Sequence, residues 1–423
     1  MRSPILDYLD EVVADTAHID SGVLADYIPE LAAADPGRAA VALCTVGGTV
    51  YASGETHHEF SIQSMSKPFA YALAIEDNGL DHVVECVGVE PSGEAFNELS
   101  LDPDTGKPRN PMINAGAIAT HALIRPDGAL PVDRFLGYLS RMAERDIALD
   151  EAVAESELAT SSRNLGLAYL LHASGNLASE PRQTVEGYVR QCAASVTVSD
   201  LALMASTLAN GGIQPNTGER LLSRKGCRQV LSVMASCGMY DAAGNWLTNV
   251  GIPAKSGVSG GIIGVLPGQV GVAVFSPRLD EHGNSARGIA MMDRLSADLE
   301  LHLMEAGRPA RSSLRERQQI ALEGRPAMLY VLQGDLILSS VEALVHEIVV
   351  HPPEIDVIVF DMSRVDEVLP VARWMASATG AKLIDEGYRL ILVNADFTIE
   401  DIETGEGRAA ERWTIAQYRA ALT

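Results

Sequence analysis

The sequence predicts an α+β fold, an antiparallel sheet with a large helical region, followed by a C-terminal α/β domain. Strand-like segments lie at residues 39–45 and 49–52 and return only near Val258. Between them, from about Phe69 to Trp246, Leu, Ala and Met recur at helical period. Strands, a long helical block and strands again describe one antiparallel sheet in which the two ends of the region meet. After Leu303 the pattern changes to strands alternating with helices.

Each element rests on local signals. Ser3-Pro4 ahead of Ile5, Leu6, Leu9, Val12 and Val13 supplies an N-cap, a proline at the first helical position and an apolar stripe, which predicts a short amphipathic helix. Gly47-Gly48 between the first two strands is a hairpin signal. Glu90-Pro91-Ser92-Gly93 is a loop within the helical block. The most apolar run, Gly260 to Phe275, is interrupted by Pro267 and several glycines, so a hairpin is expected rather than a membrane span. Gly307-Arg308-Pro309-Ala310-Arg311-Ser312-Ser313, with Arg315 and Arg317, forms an arginine-rich connector. Beyond it, Leu329–Leu332, Val357–Asp361 and Arg389–Asn394 are expected as strands, and Val341–Val349, Val371–Leu383 and Ala409–Leu422 as helical. The expected division is a larger domain over 1–306, a linker over 307–321 and a second domain over 322–423, each of ordinary size.

Composition limits the function classes. The 423 residues carry 32 Lys and Arg against 56 Asp and Glu, a net charge of -24 and a pI near 4.7. Nucleic acid and anionic membranes demand a basic face, so neither is expected as a partner. Cys44, Cys86, Cys192, Cys227 and Cys237 are odd in number, widely spaced and never in Cys-x-x-Cys, which points to reduced thiols rather than disulfides or zinc. The first residues, with Asp7, Asp10 and Glu11, lack the apolar core of a signal peptide, and a cytoplasmic location is expected.

The stretch Ser61-Ile62-Gln63-Ser64-Met65-Ser66-Lys67-Pro68-Phe69 carries the chemistry. At a helix start, Ser64 and Lys67 lie one turn apart on one face, where a neutral amine can take the hydroxyl proton. Pro68 lacks an N–H and its ring clashes with the carbonyl four residues back, so regular helix is expected to begin near Ser64. First-turn placement gives Ser64 unpaired backbone donors and the positive end of the helix dipole, both favourable to a developing oxyanion. A chance Ser-x-x-Lys is expected about once in a chain of this length, so the pair alone decides little. The lysine count sharpens it: there are five, at 67, 107, 225, 255 and 382, and arginine carries the rest of the positive charge. Arginine cannot give up its proton, whereas a desolvated lysine can. Lys67 and Lys255 therefore stand out, although a solvated loop charge is the plain alternative for Lys255.

Seven motifs stand in order: Gln63-Ser64-x-Ser66-Lys67, Glu90-Pro91-Ser92-Gly93-x-x-Phe96-Asn97, Asn110-Pro111-Met112-Ile113-Asn114-Ala115-Gly116-Ala117-Ile118, Ser156-Glu157 with Arg163-Asn164, Tyr188 with Gln191-Cys192, Cys237-Gly238-Met239-Tyr240, and Lys255-Ser256-Gly257-Val258-x-Gly260-Gly261. In these motifs, residues 5–303 resemble the serine-dependent glutaminase family. The resemblance implies a β-lactamase-like fold, a homo-oligomer (dimer or tetramer), no metal or cofactor, and hydrolysis of L-glutamine to L-glutamate and ammonia through an acyl-enzyme on Ser64. The C-terminal domain resembles STAS domains, which implies regulation or tethering.

The resemblance places Ser64, Lys67 and Tyr240 in catalysis and Tyr27, Ser64, Asn114, Glu157, Asn164, Tyr188, Tyr240 and Val258 against substrate. Plainer readings exist for most of them. Asn114 could cap a helix. Glu157, after Glu151 and Glu155, could sit on a solvated acidic face, although an α-amino group needs a carboxylate. Glu157 and Asn164, seven apart, share a face if their helix is continuous. Tyr188 and Tyr240 could be core tyrosines with satisfied hydroxyls, and Tyr27 could serve packing. For Val258 the backbone donor matters, forming an oxyanion hole with that of Ser64. A β-lactamase or peptidoglycan peptidase shares the Ser-Lys pair, but the expected cytoplasmic location and the absence of a Ser-Asp-Asn element count against it. A purely regulatory protein is disfavoured by the intact Ser64, Lys67 and Lys255.

Overall fold

Residues 3–92, 100–125, 130–305, 313–394, 402, 404 and 407–422 are described by the computed structural model. Gly93, Phe96 and Asn97 of the second motif, the expected boundary at 306 and residues 307–312 of the connector lie outside them. The chain divides into one unit of Leu9–Ala297 with Leu301–Met304 and another of Glu305–Thr423 with Met1–Tyr8 and Asp298–Glu300.

The first unit is built on an antiparallel sheet of order β2-β1-β7-β6-β5, comprising β1 (Ala40–Thr45), β2 (Val50–Gly54), β5 (Ala254–Gly257), β6 (Gly261–Leu266) and β7 (Val270–Phe275). Two short strands, β3 (Phe60–Ser61) and β4 (Ser195–Val196), pair separately. β1 and β2 turn through Gly47-Gly48, and β1 also pairs with β7, from Ala40 opposite Phe275 to Thr45 opposite Val270, so the ends of the region do meet. The β6–β7 hairpin is buried along its whole length, which accounts for its apolar sequence. Among the described residues, no helix is long and apolar enough to cross a membrane.

The helices of the amino-terminal stretch and the helical block are α1 (Pro4–Asp15), α2 (Pro29–Ala32), α3 (Ser66–Asn78), α4 (Leu80–Cys86), α5 (Asn114–Ala122), α6 (Pro131–Ala143), α7 (Glu151–Ala159), α8 (Ser162–Ala173), α9 (Pro181–Cys192), α10 (Val198–Ala209), α11 (Arg224–Cys237) and α12 (Ala243–Asn249), with α13 (Ala286–Leu299) following β7. α10 packs across β1, β6 and β7. Gly271 permits that approach, because a Cβ there would lie 2.2 Å from the Ser206 amide nitrogen. α3 is buried from Ser66 through Ile75 and shares one apolar core with α6, α10, α11 and the sheet. Buried on all sides, it holds its first turn in a fixed place.

Two local expectations change. Regular helix begins at Ser66, and Gln63–Met65 form a single 3-10 turn ahead of it. Pro68 cannot donate to the Ser64 carbonyl, so an α-helix cannot extend back through that residue. Glu157 and Asn164 do not share a continuous helix, because α7 ends at Ala159 and α8 starts at Ser162. The Thr160 hydroxyl donates to the Ser156 and Glu157 carbonyls and the Ser161 hydroxyl to the Leu158 carbonyl, which closes off the end of α7.

The second unit has a sheet of order β12-β11-β10-β9-β8, with β8 (Leu314–Leu322), β9 (Arg325–Leu336), β10 (Val357–Val368), β11 (Arg389–Val393) and β12 (Glu411–Trp413). β8 and β9 are antiparallel and the remaining pairs parallel. α14 (Leu338–Val350), α15 (Pro370–Asp385) and α16 (Ile415–Ala421) accompany it. β8 lies mostly within the stretch expected as linker. It is a solvated edge strand with only Leu322 buried, and such a strand lacks the apolar alternation that marks a strand in sequence. β12 likewise occupies part of the expected Ala409–Leu422 helix, leaving a helix of two turns after the Thr414 cap.

Candidate active site

Ser64 sits in the turn between β3 and α3, only 7% exposed, and the preceding Gln63 has a φ of 49°. Glutamine seldom adopts that left-handed backbone, and such strain persists only where surrounding packing imposes it. β5 packs on this turn: a Cβ on Gly257 would meet the Ile62 carbonyl oxygen at 3.1 Å and the Gln63 Cβ at 3.3 Å. Tyr240 follows α11 in a 3-10 turn, also at positive φ, 56°. Its hydroxyl donates to the Ser256 carbonyl at 3.2 Å, and the Ser64 side chain beside it opposes the rise that burial gives the phenol. With its one proton on that carbonyl, the Tyr240 oxygen can only accept from Ser64.

A second network starts at Lys67, which is fully buried. Its Nζ donates to the Met112 carbonyl at 3.2 Å and to Asn114 Oδ1 at 2.8 Å. Asn114 Oδ1 also accepts from the Tyr188 hydroxyl at 3.3 Å, and Asn114 Nδ2 donates to Asn164 Oδ1 at 3.1 Å. Asn114 opens α5 with Ile113 at the cap position, so its amide serves this network instead of capping the helix. Among the described residues, Lys67 Nζ makes no hydrogen bond to Ser64. In a third contact Gln63 Nε2 donates to Glu157 Oε2 at 3.2 Å.

Burial sets the electrostatics. Desolvation pushes the Lys67 ammonium down to about 8 against the smaller opposing pulls of Cys192 and Glu157. It pushes the Glu157 carboxyl up to about 7, opposed by the Gln63 hydrogen bond and by Lys67. Lys255 falls well below the ordinary lysine range through burial and then the Lys67 charge. Burial raises the Tyr240 phenol and raises Tyr188 further. Burial and then the Glu157 charge push the Cys192 thiol up to about 12, and it stays protonated. Displaced acids and bases gathered beside a buried serine that follows a strained residue are what nucleophilic catalysis requires. Among the described residues, no group of three or more His, Cys, Asp or Glu is placed to hold a metal ion.

The family model described as Glutaminase matches residues 22–304. A glutaminase of Corynebacterium glutamicum is 47% identical over 410 residues, covering 96% of this chain and 98% of its own. The chain belongs to the glutaminase family. A glutaminase of Trichormus variabilis is 46% identical over 304 residues, 72% of this chain and 91% of its own. The crystal structure of Mglu superimposes with a TM-score of 0.71 at 44% identity, over 94% of this chain and all of that one. A probable glutaminase of Bacillus subtilis gives 0.66 at 29% identity, over 71% of this chain.

Within this glutaminase-family site, Ser64 and Tyr240 are neighbours, Lys67, Asn114, Asn164 and Tyr188 form a hydrogen-bonded group, and Glu157 is bonded to Gln63, the residue before Ser64. Tyr27 stands at the rim, 46% exposed, and desolvation and the nearby Glu157 charge raise its phenol. Val258 lies just past the end of β5, beyond the Gly257–Gly261 pair that closes the β5–β6 ladder. Sequence reasoning did not single out Gln63, Cys192 or the backbone carbonyls of Met112 and Ser256. Gln63 and Cys192 stood inside quoted motifs; the two carbonyls carry no sequence signal. Lys255 is fully buried, which removes the solvated-charge alternative.

Proposed function

We propose that this protein hydrolyses L-glutamine to L-glutamate and ammonia through an acyl-enzyme on Ser64. The observation that carries the reading is the placement of the buried Ser64 beside Tyr240, whose hydroxyl is fixed on the Ser256 carbonyl, together with a fully buried Lys67 of lowered proton affinity. Ser64 Oγ attacks the side-chain carbonyl carbon of glutamine; its proton passes to the Tyr240 oxygen as the phenol gives up its own proton, with neutral Lys67 as the final acceptor. The negative oxygen of the tetrahedral intermediate is held by the backbone N–H groups of Ser64 and Val258. The intermediate collapses, the C–N bond breaks and the proton returns to the leaving nitrogen as ammonia departs. Water then attacks the γ-glutamyl ester, releasing glutamate and restoring the serine. Glu157 receives the α-ammonium, while Asn114, Asn164 and Tyr188 orient the rest of the substrate and Tyr27 borders the entrance. The test is ammonia release from glutamine with trapping of the acyl-enzyme by mass spectrometry. A γ-glutamyl adduct on the Ser64 peptide is expected; turnover with no adduct under rapid quench and nucleophile trapping argues against it, and nitrocefin hydrolysis favours a β-lactamase.

The second unit we read as a STAS-like module that regulates or tethers the enzyme, in a dimer or tetramer, without joining its chemistry. Support comes from the Trichormus variabilis relative, 91% of whose length is matched by 72% of this chain.

A further inference from the structure

Of the five lysines, Lys225 and Lys382 face carboxylates at partly or largely exposed positions, and Lys107 reaches a backbone carbonyl. Lys67 and Lys255 are the two that are fully buried. Lys255 makes no ion pair among the described residues. Removing an ammonium from water without a carboxylate costs several kcal/mol, so a lysine kept there contributes something other than stability. The mechanism above gives Lys255 no task.

Its contacts point to one. Lys255 Nζ lies over the Tyr240 ring, 4.0 Å from the centroid, and donates to the Ser256 carbonyl at 2.8 Å. The same carbonyl accepts the Tyr240 hydroxyl at 3.2 Å. One amine thus holds the face of the ring and shares the acceptor that fixes its hydroxyl. The anchor is rigid, since Lys255 and Ser256 are fully buried and, on the edge strand β5, are paired with Ile263 and Ile262 of β6. Tyr240 needs such an anchor, because its turn is at positive φ and a non-glycine residue there relaxes unless it is held.

We propose that Lys255 is a positioning residue that clamps the Tyr240 phenol, through the ring face and the shared Ser256 carbonyl, so that its oxygen stays on the Ser64 hydroxyl. An N–H group over the electron-rich face of an aromatic ring is attracted to it, strongly as ammonium and more weakly as neutral amine. Methionine fills the same space without donating, and it leaves the ring free to tilt. Displacement of a reacting group by 1 Å costs on the order of 100-fold in rate.

This inference rests on the reading of Tyr240 as the group that takes the Ser64 proton, and a double-mutant cycle separates the two. Lys255→Met, Tyr240→Phe and the double variant are assayed for kcat and KM with glutamine, and for stability by urea denaturation. Lys255→Met is expected to lose about 30- to 100-fold in kcat with KM within about threefold, and to unfold at the same or a higher urea concentration. In the Tyr240→Phe background the same change should lose less than about threefold further, because no hydroxyl remains to be placed. Losses that multiply, or a rise in KM with unchanged kcat, overturn the clamp. A Tyr240→Phe enzyme with wild-type activity overturns instead the role of Tyr240. If Lys255→Met does not fold, Lys255→Ala is assayed with and without ethylamine. Recovery of kcat by the added amine supports the clamp, and recovery by isosteric propane-like additives alone or by none overturns it.

Discussion

The Gln63 side-chain amide donates to the Glu157 carboxylate at 3.2 Å, joining the residue just before the proposed nucleophile to a buried acid. Glu157 is thereby aimed and partly satisfied, which suits its proposed pairing with an incoming ammonium. Glu157→Gln is expected to lower kcat/KM by about 2–3 kcal/mol, the usual loss for a buried charged hydrogen bond, with a smaller effect on kcat. Steady-state kinetics check it, and N-acetylglutamine should be a poor substrate of the unmodified enzyme. Equal turnover of the two amides removes Glu157 from recognition of the α-amino group.

The pH dependence follows from two groups with the same sign. Glu157 must be ionised to hold an ammonium and is half protonated at about 7. Lys67 must be neutral to accept a proton and titrates at about 8. Activity at low substrate should therefore rise with pH across both values. In Glu157→Gln the lower step should vanish and the upper one remain. A profile falling over this range contradicts both assignments.

Ser64→Ala should abolish ammonia release in a folded protein. Lys67→Arg should be nearly as inactive, since a guanidinium keeps the charge but cannot serve as a base. Circular dichroism and a coupled glutamate dehydrogenase assay check fold and activity together. An active Lys67→Arg enzyme transfers the base role to Tyr240.

Lys67 also makes a prediction about stability. Its folded-state proton affinity is lowered from 10.5 to about 8, so holding the proton in the fold is costly. The cost is fully present below about pH 8 and disappears as pH rises toward the unfolded value. Lys67→Met should be more stable than wild type near pH 6.5, by on the order of 3 kcal/mol, and the difference should shrink by pH 10. Urea denaturation at the two pH values measures this; a gap independent of pH assigns the effect to packing.

The site residues named above all lie in the first unit. A chain ending at residue 305 should keep glutamine turnover, with any change confined to oligomeric state or regulation. Size-exclusion chromatography and the ammonia assay decide it. A folded but inactive truncated chain shows that the second unit completes the site.

How much of this was legible in the sequence varies with the physics of each element. The β1–β2 and β6–β7 hairpins were readable because apolar runs and glycine turns are local signals. The Ser64–Lys67 spacing was readable for the same reason. The end of α7 was not, because the Thr160 and Ser161 hydroxyls can serve a continuous helix as well as a terminus. β8 carries no strand signal in the sequence, because on one side its neighbour is solvent. The burial of Lys255, the use of the Asn114 amide and the strained backbone of Gln63 are all tertiary properties. No local window contains the strand, helix and turn that impose them.

The pairing of β1 with β7 has a consequence for the order in which the enzyme is made. On the ribosome, residues 40–45 emerge early and then wait, one edge unpaired, until residues 270–275 have been synthesised and have cleared the exit tunnel. Until then β5, although already made, is not joined to β1 through β6 and β7, so the nascent chain carries every proposed catalytic side chain without a functioning site. Contacts so distant in sequence slow folding and prolong exposure of the open strand edge. Nascent chains stalled just short of β7 should therefore be the form most dependent on chaperones. Hydrolytic competence should then appear abruptly with the last strand instead of accumulating during translation.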